Sequence, residues 1–179
     1  MSREAEGRET KFGQVYDTDG WFVINAHEAR WSAWERMGVY CNFEGKKRFP
    51  QLGFNVDVLQ PGDSLGLYHM EKAQEDFLVL AGRCVMVVEE QELKLGPWDF
   101  FHCPPGVPHM LVAVGDEPAV VIAVGARGRG RSGIRYLVSE AAARRGVSVS
   151  KETTDPSVAY ADLGRPTRVR YGEGWLPDL

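Results

Sequence analysis

The chain has 179 residues, of which 44% are hydrophobic and 26% are charged, a composition typical of one compact soluble domain. A formal net charge of -4 gives no broad attraction to nucleic acid or to anionic membranes, so neither is expected as a partner. No stretch approaches the ~20 consecutive apolar residues of a membrane-spanning helix.

The cysteines and the amino terminus indicate the cellular compartment. The three cysteines, Cys41, Cys84 and Cys103, are odd in number and widely spaced, which does not indicate a disulfide framework. The first residues, MSREAEGRETKFG, are charged and lack the apolar centre of a signal peptide. We therefore expect a cytoplasmic protein.

Two segments precede the regular part of the sequence. Residues 1–14 are charged and contain one aromatic residue, which predicts disorder. Residues 15–49 carry a group of large aromatic side chains, including Trp21, Phe22, Trp31 and Trp34. This second segment is more apolar than a free surface arm, so we expect it to pack across the main body or a partner subunit, and we expect a homodimer.

A series of short strands is predicted from Leu52 onward. In LGFNVDVLQ the apolar residues alternate, at Leu52, Phe54, Val56 and Val58, as on one face of a strand. The runs FLVLAG, RCVMVVEE, ELKL, DFFHC, HMLVAV and AVVIAVG follow, each bounded by turn residues. Seven or eight strands at this spacing predict an all-β sandwich or barrel.

The pattern changes after this series. The glycine-rich basic run GARGRGRSGIR, residues 125–135, favours a flexible solvated loop over a phosphate- or RNA-binding loop. The stretch SEAAARRG, residues 139–146, predicts a short helix with Ser139 as its N-cap. The proline-containing tail from Lys151 predicts an extended surface arm.

Two stretches contain the residues that point to chemistry. The first, YHMEKAQEDFLVLAG, places Gly82 seven positions after Glu75. The second, WDFFHCPPGVPH, contains a Pro-x-Gly-x-x-His pattern at Pro104, Gly106 and His109. Together they resemble the two motifs of the cupin superfamily, over roughly residues 50–125.

The resemblance implies a double-stranded β-helix, the jelly-roll barrel of cupins, in a single domain. That domain would span 15–179, with a barrel core at about 50–125 and a carboxy-terminal helix and arm at 134–179. Cupins commonly carry His-x-His before the glutamate, and this chain does not. In an ungapped alignment Tyr68 and Met70 replace the two histidines. With one extra residue after Gly62, His69 becomes the first ligand.

The gapped alignment is similar to the motif of 3-hydroxyanthranilate dioxygenases, which also reads Tyr-His-x-Glu. The resemblance implies that His69, Glu75 and His109 hold a metal, iron in that family. Two imidazoles and one carboxylate are the ligand set of non-haem Fe(II) oxygenases. The arginines with which that family binds its substrate correspond to Leu65 and Ala113 here, so a different substrate is expected.

Strand geometry adds Glu71 to this group. His69 and Glu71 share a face of a strand, and a buried carboxylate pair without a cation would carry a cost of several kcal/mol. Glu71 is therefore expected as a fourth ligand or a near neighbour, although the alternative of solvated acids at a strand end stays open. Tyr68 and His102 are candidates for lining the pocket.

These residues predict one divalent ion per chain, from among Fe, Mn, Zn, Ni and Co, with Fe(II) favoured for an oxygenase. The expected function is a metal-dependent enzyme acting on a small organic molecule, with a dioxygenase as the first reaction type. The alternatives are a non-catalytic metal- or ligand-binding cupin, such as a sensor, and a metal-assisted isomerase. The fold by itself does not choose among them.

Overall fold

A computed structural model describes residues 3–127 and 133–177. In chain order its elements are β1 Gly7–Thr10, β2 Gly13–Tyr16, β3 Trp31–Trp34, β4 Gly38–Cys41, β5 Leu52–Leu59, β6 His69–Met70, β7 Glu75–Ala81, β8 Arg83–Val88, β9 Gln91–Leu95, β10 Phe100–Cys103, β11 His109–Val114, β12 Ala119–Ala126, β13 Arg135–Tyr136, α1 Glu140–Arg144, α2 Pro156–Ala159 and β14 Thr167–Val169.

The strands form three antiparallel sheets. A small hairpin pairs β1 with β2, a seven-stranded sheet has the order β10-β7-β12-β5-β4-β3-β14, and a five-stranded sheet has the order β13-β6-β11-β8-β9. The two large sheets enclose a buried apolar cluster to which both contribute, for example Val79 and Val121 from one sheet and Met86 and Leu111 from the other. This confirms the predicted jelly roll.

Further apolar layers cover the outer faces of both sheets. Helix α1 packs Ala141 and Ala142 against Val85 and Val112 on the outside of the five-stranded sheet. The predicted N-cap is present, because the Ser139 hydroxyl accepts a hydrogen bond from the Ala142 amide at 3.0 Å. The short helix predicted from the sequence is therefore found in place.

The aromatic segment packs on the barrel of its own chain. Trp31 is 0% exposed and lies in a cluster with Val58, Tyr171 and Trp175 on the outer face of the seven-stranded sheet. Trp21 is 55% exposed. Most of the apolar surface that suggested a partner subunit is thus covered within the chain, and the homodimer stays a prediction.

The ends of the chain differ from the sequence expectation. Disorder was expected for residues 1–14, but Gly7–Thr10 pairs with Gly13–Tyr16, and an Arg8–Asp17 ion pair of 2.9 Å fixes the hairpin to the next turn. The tail predicted as an extended arm contains α2 and β14, and β14 extends the seven-stranded sheet beside β3.

Part of the predicted glycine-rich loop, residues 128–132, lies outside the described residues. Among the residues that are described, no helix is long and apolar enough to cross a membrane.

Candidate metal centre

Strand register places three aromatic residues in one row across the five-stranded sheet. His109 on β11 lies opposite His69 on β6, and His69 lies opposite Tyr136 on β13. Directly opposed residues of an antiparallel pair project to the same face with Cβ atoms about 5 Å apart. The His69 and His109 ring centroids are accordingly 5.1 Å apart.

Glu75 approaches this row from the facing sheet. It begins β7 and lies opposite Gly125 of β12, where an added Cβ would come within 3.4 Å of its Oε1 atom. Glu75 Oε2 is 3.4 Å from His69 Nε2 and 3.1 Å from His109 Nε2. The ligand atoms of the three residues lie within 4.8 Å of one another, a group able to hold a metal ion.

The backbone orients both imidazoles toward the same point. His69 Nδ1 is 2.8 Å from the Leu67 carbonyl, and His109 Nδ1 is 3.0 Å from the Val107 carbonyl. A carbonyl can only accept, so each Nδ1 carries the proton. Nε2 is then the atom of each ring that is directed at Glu75, as in a metal ligand whose Nδ1 proton is held by a carbonyl.

The charges of the group are strongly coupled. Burial lowers the pKa of His69, but its contacts with Glu71 and Glu75 outweigh burial and raise the pKa to about 9. Burial also opposes charge on Glu75, yet His109 and His69 lower its pKa to about 2. His69 and Glu75 thus favour opposite charges in a largely buried space.

One further observation indicates that the three residues could hold a cation. Glu75 Oε2 and His109 Nε2 are buried without a hydrogen-bond partner, although the two atoms lie 3.1 Å apart. Buried polar atoms that lack a partner are costly and require an explanation. A divalent ion between them satisfies both atoms, since both are suitable ligands for it.

Glu71 is a close neighbour of this group. It follows β6 directly, and its Oε1 is 3.6 Å from His69 Nε2. It is not part of the three-residue group whose ligand atoms lie within 4.8 Å. The arrangement agrees with the gapped alignment, since His69, rather than Tyr68 or Met70, faces Glu75.

Two residues expected to line the pocket lie elsewhere. Tyr68 packs in the cluster between the five-stranded sheet and α1, with Val85 and Ala141. His102 is 53% exposed and forms an ion pair of 2.7 Å with Asp76 on the outer face. Successive strand residues point to opposite faces, so the neighbours of these residues, His69 and Cys103, take the inward positions.

Three contributors to the site were missed in the sequence. Tyr136 is buried beside His69, with ring centroids 6.0 Å apart, and Tyr160 packs against Tyr136 at 5.4 Å. Cys103 has its Sγ atom 3.1 Å from His109 Nδ1. The tyrosines lie beyond both motifs, and only the strand pairing brings Tyr136 to His69.

The two positions at which 3-hydroxyanthranilate dioxygenases carry arginine are apolar in this structure, as the sequence predicts. Ala113 is buried in the apolar cluster between the sheets, and Leu65 packs against that cluster. These two positions therefore offer no charge to a substrate carboxylate.

Comparison with known proteins gives a match to one family over part of the chain and a partial similarity to several solved structures. Residues 55–125 match the family described as the cupin domain. No curated protein matches the chain by sequence.

Three solved structures illustrate the similarity. A sugar phosphate isomerase from a cupin superfamily of Silicibacter pomeroyi is 27% identical, with a TM-score of 0.46 over 69% of this chain and 72% of that one. A protein of Acidithiobacillus ferrooxidans, named as a proposed sugar phosphate isomerase, is 24% identical with a TM-score of 0.43; the match covers 47% of this chain and about half, 53%, of that protein. The polyketide cyclase RemF of Streptomyces resistomycificus is 16% identical, with a TM-score of 0.46 over 55% and 70% of the two chains.

The family match covers the part of the chain that contains both motifs. It also includes the strands that carry Glu75 and His109. Cupins commonly bind a metal, and the His69–Glu75–His109 group could bind one. Residues 55–125, which contain all three candidate ligands, therefore match the cupin domain.

Proposed function

We propose that this protein is a metal-dependent enzyme that acts on a small organic molecule at His69, Glu75 and His109. The observation that carries the proposal is the convergence of two Nε2 atoms and one carboxylate oxygen within 4.8 Å. Three protein ligands leave positions for substrate. A divalent ion held there would supply Lewis acidity and, in the case of iron, redox chemistry.

The surrounding residues fix the geometry and limit access of water. The Leu67 and Val107 carbonyls hold the two imidazole rings in orientation. The Phe77 ring lies 5.5 Å from that of His109, and Phe101 lies 6.5 Å from it on the same side. These apolar walls strengthen electrostatic interactions inside the site because they exclude solvent.

A dioxygenase-type oxidoreductase is the first reaction type that we propose. The two-histidine, one-carboxylate set with open positions is that of non-haem Fe(II) oxygenases. Because Leu65 and Ala113 carry no charge, we propose a substrate that binds through neutral oxygens, such as a diol, rather than one clamped by its carboxylate.

A metal-assisted isomerase is the second candidate. Such an enzyme needs proton donors and acceptors in addition to the ligands. Glu71 lies 3.6 Å from His69, and Tyr136 lies opposite the same histidine on β13. This carboxylate, from the first motif, and this phenol, from outside both motifs, are the acid–base groups that we propose for such a reaction.

The test is reconstitution with Fe(II) under anaerobic conditions, followed by addition of O2 with a panel of aromatic acids and diols. We expect substrate-dependent O2 consumption that Glu75→Ala abolishes. His102→Ala is the matched control, because His102 belongs to the same motif but faces outward. Conversion of a substrate without O2 consumption would favour the isomerase. Tight binding without any conversion would contradict the enzyme and favour a binding or sensor protein.

A further inference from the structure

We propose that Tyr136 and Tyr160 form a substrate-binding pair that donates a hydrogen bond to an oxygen atom of the small molecule seated at the metal centre. Both residues come from the chain beyond the cupin domain of residues 55–125. The inference rests on the proposed function, and it adds to the barrel a specificity element that the two motifs do not contain.

The position of Tyr136 follows from strand pairing. Its partner across β13 and β6 is His69, and the next residue of the same row is His109. Its side chain is therefore directed to the face that carries both histidines. The residue is 4% exposed, so its orientation is set by packing rather than by solvent.

Tyr160 follows α2 and completes the pair. Its ring meets that of Tyr136 edge to face, at 5.4 Å, and its hydroxyl accepts a hydrogen bond from the Leu67 amide at 3.2 Å. Tyr160 raises the pKa of Tyr136 and Tyr136 lowers that of Tyr160, so the two hydroxyls interact. In the bond from Leu67 the Tyr160 hydroxyl is the acceptor, so its own proton remains available to a ligand oxygen.

Packing alone does not explain why tyrosine, with its hydroxyl, occurs at positions 136 and 160. The neighbours are mainly apolar, including Met37, Leu67 and Leu163, and two phenylalanines would fill the same space. Burying a hydroxyl costs free energy unless its hydrogen bonds are made. A ligand oxygen would complete them.

The electrostatics place the hydroxyls near the acidic side of the site. Burial raises the pKa of Tyr136, and the charge of Glu71 raises it further. Burial likewise raises the pKa of Tyr160, with further contributions from Glu75 and Glu71. The hydroxyls are thus within electrostatic reach of the carboxylates that surround the metal position.

A phenol donor beside a metal selects the chemical class of the ligand. It stabilises an oxygen that carries partial negative charge, such as that of a diol or an enol coordinated to a cation. The pair therefore favours dioxygenated small molecules over hydrocarbons or amines, and it takes the place of the missing arginine clamp.

The test uses the full-length protein loaded with Fe(III) and titrated with catechol, followed through the catecholate-to-iron charge-transfer absorption. We expect Tyr136→Phe and Tyr160→Phe to weaken catechol binding about tenfold or more, the usual effect of losing a hydrogen bond to a charged oxygen. Their iron content should equal that of the wild type. Tyr68→Phe is the matched control, since Tyr68 is equally buried beside His69 but faces α1.

Each outcome bears on the inference separately from the proposed function. If Tyr136→Phe and Tyr160→Phe bind catechol as the wild type does, or lose affinity only together with iron, the inference is wrong while the metal site stands. An iron-loaded wild type that shows no catecholate band would also overturn it. A wild type that takes up no iron would overturn the proposed function itself.

Discussion

Asp57 lies on the inner face of β5, between Asn55 and Leu59, and is 5% exposed. Its Oδ2 atom has no hydrogen-bond partner, and burial raises the pKa of its carboxyl from 3.8 to about 8. The folded protein thus holds this proton more tightly than the unfolded chain does. The free energy of unfolding is therefore unaffected by Asp57 below about pH 4, and Asp57 lowers it progressively as the pH rises from about 4 to about 8.

Asp57→Asn removes this titration. The stability of the variant relative to wild type should rise by about 2–4 kcal/mol between pH 5 and pH 8. Urea unfolding at several pH values measures this difference, with the exposed Asp116→Asn as a control that should give none. A difference that does not depend on pH would contradict the assignment of a buried neutral carboxyl.

Cys103 contacts the ring nitrogen of His109 that faces away from the metal position. The Nδ1 proton is directed at the Val107 carbonyl, 3.0 Å away, and at Cys103 Sγ, 3.1 Å away, so the thiol helps to hold the ring. Loss of an outer contact of a ligating histidine typically lowers metal affinity 10- to 100-fold. We expect Cys103→Ala to lower the affinity for Co(II) by about tenfold.

Cys84→Ala is the control for this prediction, because Cys84 lies in the same apolar cluster. Cys103→Ser should restore part of the affinity, since a hydroxyl can also accept from Nδ1. Equal Co(II) dissociation constants for the Cys103→Ala and Cys84→Ala variants, measured by absorption titration, would show that the thiol only fills space.

The candidate ligands could be found from sequence because their spacing is set by local geometry. Glu75 and Gly82 lie at the two ends of one strand and its turn, and His109 begins the strand after a Pro-Gly turn. Tyr68 and His102 were misplaced because the sequence does not show which of two adjacent residues points inward. Asp57 was hidden because the alternation in β5 marks its face as the polar one, whereas the structure covers both faces of the strand.

At the scale of elements, the turn at Gly82 joins β7 to β8. Gly82 has a φ of +73°, and a Cβ there would come within 2.4 Å of the Pro118 carbonyl oxygen. Gly106, in the turn before β11, has a φ of +84° but no atom within 4 Å of such a Cβ. A side chain at either glycine would therefore be strained by the positive φ, but only at Gly82 would its Cβ also clash with the backbone.

Gly106→Ala should lower the free energy of unfolding by about 1 kcal/mol, the cost of a side chain in the left-handed region. Gly82→Ala should lower it by roughly 3 kcal/mol or more, because the backbone must also move away from Pro118. Denaturant unfolding measures both variants. Equal decreases in the free energy of unfolding would show that the contact with Pro118 does not matter.

Secondary structure could be predicted where a local signal is strong. Ser139 and the alanines after it marked α1, and the alternation from Leu52 marked β5. Asp155 followed by Pro156 was also a start signal, for α2, but a four-residue helix has no periodicity to support it. The hairpin is formed by β1, GRET, and β2, GQVY, which are too short and too polar to show an apolar pattern.

At the scale of the whole molecule, the segments outside the cupin domain complete the barrel from two sides. Tyr171 and Trp175 close over Trp31 on the outer face of the seven-stranded sheet. On the other side Tyr136 packs beside His69, and Tyr160 packs against Tyr136. These are contacts between residues distant in sequence, so neither composition nor periodicity could have predicted them.

The central claim is that His69, Glu75 and His109 hold one divalent metal ion per chain. The most direct test is the metal content of protein purified without chelator or affinity resin, measured by mass spectrometry of the elements. We predict about one ion per chain for the wild type and for His102→Ala, and nearly none for His109→Ala or Glu75→Ala. Full metal occupancy in folded His109→Ala protein would contradict the claim.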